Sequence, residues 1–237
     1  DLDWHRTGSD RLAIVLHGLG GHSRRSYVRA MIHALEGWDC CAMNLRGSSG
    51  EPNRLPCTYH SGRTDDLHAV STAIAARGAY RTLLLVGFSL GGNITVKYLS
   101  EQGRNHPFSA GIAVSAPVHL PGSAIRIQQS RYYMEYMLSK LRPYITAKAA
   151  QFPGLINIEG LDRIRTFTEY DNRFTAPLNG FSSAAEYWER ASALRYIDGL
   201  SVPCLLVNAE DDPILSPECI PMTVAAEHPC LHLDAER

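Results

Sequence analysis

Short apolar runs alternate along the chain with longer stretches of helical spacing. RLAIVLHG (11–18) is an apolar run closed by glycine and predicts a buried strand. From Ser23 to Leu35 the apolar positions Tyr27, Val28, Met31, Ile32 and Leu35 follow a helical period, and Gly37 stops it. DCCAMNLRG predicts a second strand running into the Gly/Ser/Pro-rich loop RGSSGEPN. A helix is predicted over about 64–77, where Thr64-Asp65-Asp66 places acidic side chains at a helix N-terminus. RTLLLVGF, AGIAVSAPV, VPCLLVNAE and CLHLDAE predict four more strands, and the opening DLDWH is also strand-like. GGNITVKYLSEQG, between the first two of those four, reads as a helix ended by Gly103. Apolar strands separated by amphipathic helices predict an α/β fold, a mostly parallel sheet with helices on both faces.

The alternation fails between Pro121 and Leu200, a stretch rich in Tyr, Arg and Met. It is too long for a plain loop and reads as a helical cap, with RYYMEYMLSKL as its clearest helix. The expected organisation is a core of residues 1–120 and 201–237 with a cap of 121–200 inserted in it.

Composition narrows the function classes. The chain has 237 residues, 45% hydrophobic and 20% charged, which suits one large domain or a domain with an insertion and excludes global disorder. A net charge of −1 without blocks of like charge argues against nucleic acid as a partner. No apolar run is long enough to span a bilayer, and no charged start leads into an apolar signal region. The cysteines 40, 41, 57, 204, 219 and 230 form no C-x-x-C pair, so they read as buried thiols in a reducing, cytoplasmic setting. A secreted, disulfide-stapled protein is the weaker alternative.

Three loops at strand ends carry candidate chemistry. GFSLG (87–91) is a G-x-S-x-G match lying where a predicted strand meets a predicted helix, the context of a nucleophile elbow. Ser89 is the candidate nucleophile, with Gly87 and Gly91 allowing the tight turn. HGLGG (17–21) follows the first buried strand, and attack on a carbonyl needs preorganised N–H donors for the oxyanion. The amides of Leu19 and Leu90 are the candidates and Gly18 opens the turn, while analogy with other enzymes that use such a turn reads His17 as bracing it. A dinucleotide fingerprint fits poorly, because Ser23 stands where a third glycine belongs. In NAEDDPIL (208–215), Asp212 before Pro213 is the better carboxylate to orient a histidine, and Asp211 is the alternative. His228 and His232 both read as structural, so no histidine of the chain stands out as the base. His60 with Asp65 and Asp66 reads as a loop-bracing group, with a metal site as the lesser alternative. Tyr132, Tyr133, Met134, Tyr136 and Met137 fit either an acyl pocket or cap packing.

LHGLGG, NLRGSSGEPN, YHSGRTDDL, VGFSLGGNITVKYL, FTAPLNGF with YWERAS, and NAEDDPIL together resemble the YheT-like family of α/β-hydrolases, related to the animal abhydrolase-domain lipases. The resemblance runs in order over nearly the whole chain. It implies an α/β-hydrolase fold and a Ser–Asp–His triad with Ser89 and Asp212 in two of its positions. It also implies a histidine in a G-G-H-like loop a few residues past Arg237 and a further segment before DLDW, so the sequence reads as cut at both ends. The expected activity is a serine esterase acting on a small-molecule or lipid ester, with no cofactor and no metal. An acyltransferase on the same triad, or a non-catalytic binding protein on this scaffold, are the alternatives. Oligomeric state is left open.

Overall fold

The computed structural model describes residues 1–235. Seven strands form one sheet: β1 (Leu2–His5), β2 (Arg11–Leu16), β3 (Asp39–Met43), β4 (Thr82–Phe88), β5 (Ala110–Val114), β6 (Cys204–Val207) and β7 (Leu231–Asp234). Their order is β1-β3-β2-β4-β5-β6-β7, and only the β1–β3 pairing is antiparallel. Side chains along the central strands alternate between two apolar layers. Ile14, Leu16 and Leu85 face one layer with Leu99, whereas Val15, Ala42 and Val86 pack on the other face with Val28 of α1 (Ser26–Ala34). Both faces are thus covered, as the continuous apolar runs predict.

Helix α2 (Asp65–Ala75) starts directly after Thr64, whose hydroxyl donates to Glu101 and caps none of the helix's own amides. Helix α3 (Leu90–Gln102) is buried from Leu90 through Ser100. Its Asn93 is a polar staple: Nδ2 donates to the Ser61 and Ala191 carbonyls, both at 2.8 Å, and Oδ1 accepts from Ala193 N at 3.0 Å. One amide side chain thereby fixes the segment before α2 and the return from the long insertion onto the central helix.

Between β5 and β6 the chain forms α4 (Leu120–Gln128), α5 (Arg131–Gln151), α6 (Phe167–Tyr170), a π-helical turn (Asp171–Thr175), α7 (Ala176–Leu178), α8 (Ala184–Ala191) and a 3₁₀ turn (Ala193–Gly199). Helix α5 extends well beyond RYYMEYMLSKL. It runs through Pro143, because Leu138, Leu141 and Ile145 continue one buried stripe across it. A second apolar cluster, including Met134, Leu138, Ile145, Tyr170 and Phe174, forms the core of this insertion. Helix α9 (Met222–Glu227) precedes β7. Among the described residues no helix is long and apolar enough to cross a membrane.

Candidate active site

The parallel register aligns Leu16 of β2 with Gly87 of β4, so both strands deliver their following turns to the same edge of the sheet. Ser89 occupies the turn after β4 with φ 52° and ψ −118°, a positive φ that costs a non-glycine residue roughly 1–3 kcal/mol. The surroundings enforce it. Ser89 N donates to Val114 O at 2.8 Å, and Ser89 O accepts from Asn93 N at 3.0 Å. A Cβ on Gly87 would lie 2.1 Å from Gly91 O, and one on Gly91 would lie 2.7 Å from His17 O. Only glycine lets the helix start this close to the sheet. Ser89 is half-buried and lines a cavity, and its Oγ hydrogen-bonds to no described residue.

The turn after β2 packs against this serine. A Cβ on Gly18 would sit 3.1 Å from Ser89 Cβ. Two tyrosines arrange its amides: Gly18 N donates to Tyr27 Oη at 3.1 Å and Gly20 N to Tyr59 Oη at 2.9 Å. Gly21 N closes back onto Gly18 O at 3.0 Å. Between them the amide of Leu19 meets no acceptor among the described residues, and neither does the amide of Leu90 at the start of α3. These are the two amides singled out from the sequence, and both Leu19 and Leu90 line the cavity with Ser89.

His17 is buried at the base of the turn. Leu45 N donates to its Nε2 at 3.1 Å, so its proton is on Nδ1, which donates to Gly18 O at 2.8 Å. Burial lowers its pKa to about 4, keeping the ring neutral and this tautomer in place. Tyr27, Tyr59 and Leu45, which complete the bracing, were not legible as site residues.

Asp212 lies in the loop after β6, half-buried, with Oδ1 accepting from Ile214 N at 2.8 Å. Ile214 lines the cavity, so this loop borders the same opening. Asp211 is exposed. His228 precedes β7 at the opposite end of the sheet, and its Nδ1 accepts from Cys230 N at 3.2 Å. His232 is exposed on edge strand β7. The histidine that the resemblance places after Arg237 lies outside the described residues. Asp66 binds Arg46 through both carboxylate oxygens at 2.6 Å, and Asp65 pairs with Arg63 at 2.9 Å. Both carboxylates are thus engaged by guanidinium groups, and no cluster of metal-ligating side chains occurs among the described residues.

The cavity over Ser89 has an empty volume of about 900 Å³, part of it open to solvent. Its apolar lining includes Leu120, Ile127, Met137, Leu141, Phe167 and Phe174, mostly from the insertion. Of the aromatic and methionine cluster on α5, Met137 reaches the cavity, Met134 packs in the insertion's core, and Tyr132 is 77% exposed. One carboxyl also reaches it. Asp171 accepts from the Thr175 hydroxyl at 2.6 Å and from Trp188 Nε1 at 2.7 Å, and burial raises its pKa to about 6.

A strained serine between a strand and a helix, beside two unclaimed amides at the carboxyl edge of a parallel sheet, is the arrangement of an α/β-hydrolase. Comparison with known proteins agrees: the family defined by the alpha/beta hydrolase fold matches residues 14–226, and the chain belongs to that family. Within it, the chain is 33% identical over 214 residues to YheT of Escherichia coli, covering 88% of this chain and 63% of that one. It is also 33% identical over 217 residues to a monoacylglycerol lipase of Saccharomyces cerevisiae, covering 86% and 48%. The chain therefore spans about half to two thirds of the length of these relatives. Among solved structures, an esterase of Pyrococcus furiosus superposes over 98% of this chain and 75% of its own with a TM-score of 0.65 at 19% identity, a likeness of fold.

Proposed function

We propose that this chain carries the nucleophile and oxyanion hole of a serine carboxylic-ester hydrolase. The observation that carries the reading is the pair of unclaimed amides, Leu19 and Leu90, beside the Oγ of a serine held at positive φ. Ser89 Oγ attacks the ester carbonyl while a histidine oriented by Asp212 takes its proton. That histidine is the one the resemblance places beyond the last strand. The two amides stabilise the oxyanion, each contributing on the order of 3 kcal/mol. The same histidine protonates the departing alcohol, and water then releases the acyl group from Ser89. His17 supports this by fixing the Gly18 carbonyl, and Gly87 and Gly91 by admitting the close helix–strand junction.

Residues 121–200 act as the cap, and its apolar lining supports an ester with an aliphatic chain, from a small molecule or a lipid. The names of the Escherichia coli and Saccharomyces cerevisiae relatives, an esterase and a monoacylglycerol lipase, support the same class. Six unpaired cysteines fit a reducing, cytoplasmic setting. The test is hydrolysis of a short-chain aryl ester by the full-length protein and its Ser89→Ala variant. We expect the variant to retain less than about a thousandth of the parent rate with its melting temperature unmoved, and greater residual activity would point to another nucleophile.

A further inference from the structure

The cavity over Ser89 is mostly apolar, and part of its polar lining belongs to a hydrogen-bonded chain of side chains around Asp171. Asn179 Nδ2 donates to Thr58 Oγ1 at 2.7 Å and to Thr175 O at 2.8 Å, and the Thr175 hydroxyl donates to Asp171. Trp188 Nε1 holds the other oxygen of Asp171. The neighbouring Tyr187 accepts from Ser61 N at 3.1 Å and packs edge-on against His60, with ring centroids 5.4 Å apart. Thr58, His60, Ser61, Asp171, Thr175 and Trp188 all line the cavity.

Asp171 has capacity to spare. A carboxylate offers about four acceptor sites, and the described residues fill two, one on each oxygen. No lysine, arginine or histidine among them pairs with it. An isolated carboxyl at 7% exposure is a poor device for stability, because desolvation disfavours its charge. It also opens the π-helical turn Asp171–Thr175, an irregularity common at functional sites. Opposite in character is His60. Gly62 N donates to its Nδ1 at 3.1 Å, which leaves its Nε2–H as a donor on a side chain lining the same cavity. The cavity thus offers an acceptor and a donor. A hydroxyl can meet either, whereas an ammonium can meet only the acceptor.

We propose that Asp171 is a specificity-determining residue that accepts a hydrogen bond from a free hydroxyl on the bound substrate, so that hydroxyl-bearing esters are preferred to purely aliphatic ones. The proposal rests on the ester-hydrolase reading for the identity of the ligand. The hydroxyl can belong to the acyl chain or to the alcohol portion, and the recognising chemistry is the same.

Binding is tested first, in full-length protein carrying Ser89→Ala, by calorimetric titration with an alkyl ether of ethylene glycol and with its methyl-capped counterpart. The free hydroxyl should tighten binding on the order of tenfold, and Asp171→Leu should abolish or invert that preference. Asp171→Asn, which preserves shape and an acceptor oxygen, should retain part of it and serves if the leucine variant does not fold. Equal preference in the parent and the Asp171 variants overturns the proposal. The source is then read from kcat/KM in protein with Ser89 intact. One arm compares p-nitrophenyl hexanoate with its omega-hydroxy counterpart, and the other compares propyl with hydroxypropyl hexanoate. An Asp171-dependent ratio in either arm supports the proposal and names the source; unchanged ratios in both overturn it. If Ser89 fails to react with a fluorophosphonate, the hydrolase reading falls, while the ether titration still decides the role of Asp171.

Discussion

At the floor of the cavity, the turns after β2 and β4 are pressed together until side chains no longer fit. A Cβ on Gly91 would stand 2.7 Å from one backbone carbonyl and 2.8 Å from another. Across the cavity, the cap is assembled from helices and short irregular turns, and Gly154 there has nothing within 4 Å of where a Cβ would stand. Burial of carboxylates divides along the same line. Asp39, at the start of β3, is desolvated, yet hydrogen bonds from Thr7, Tyr80 and Ser9 outweigh that and hold its pKa at about 2. Asp171 in the cap has two donors, desolvation prevails, and its pKa rises to about 6. Where the two turns meet there is no room for a side chain, and Asp39 has its donors within the framework. The cap leaves polar capacity facing the cavity. On the proposed reading, chemistry falls to the first region and selection to the second.

That division can be broken in measurable ways. Gly91→Ala should cost about 3 kcal/mol of stability, because backbone rather than a movable side chain opposes the new methyl group. Gly154→Ala has open space and meets only its positive φ of 81°, so its cost should be nearer 1 kcal/mol. Comparable losses in denaturant melts would erase the contrast between the junction under Ser89 and the exposed turn after α5.

The two carboxylates should move stability in opposite directions with pH. Asp39 is lowered from 3.8, so its contribution is present above that value and is lost as pH falls through about 2. Asp171 is raised from 3.8 to about 6, so the unfolded chain ionises first and stability falls as pH rises through that window. Asp171→Asn should therefore gain on the parent by about 3 kcal/mol between those pH values, with a flat difference above them. Unfolding free energies across pH 4 to 7 read this directly, and a pH-independent difference would contradict the buried, cation-free setting.

Smallest is the effect of Tyr59→Phe, which leaves the Gly20 amide without its acceptor beside the oxyanion turn. A loss of about 1 kcal/mol is expected, expressed as a several-fold fall in kcat with KM little changed. A change confined to KM would place Tyr59 in substrate binding alone.

Much of this architecture was legible in the residues because it is local. The elbow's glycines, the apolar strand before it and the helix after it are contiguous, and the close approaches at Gly87 and Gly91 explain why those positions carry no side chain. What bound distant segments was not legible. Tyr59 and Gly20 are 39 positions apart, and Asn93 joins Ser61 to Ala191 across the fold. Helix α5 shows a different limit. Its aromatic and methionine positions are apolar on several sides, so spacing alone could not tell that Met137 would face the cavity and Tyr132 solvent. Asp171 left no signal beyond the FTAPLNGF stretch nearby, since its environment is created by Trp188 and by the burial of a turn whose π-helical form no period announces.

The central claim is that Ser89 is the nucleophile, and it is tested most directly by treating the full-length protein with a fluorophosphonate and mapping the modified peptide. The account predicts one adduct, on Ser89, formed in step with loss of ester hydrolysis and absent from Ser89→Ala. Hydrolysis that survives treatment with Ser89 unmodified, or inactivation by an adduct on another residue, would contradict it.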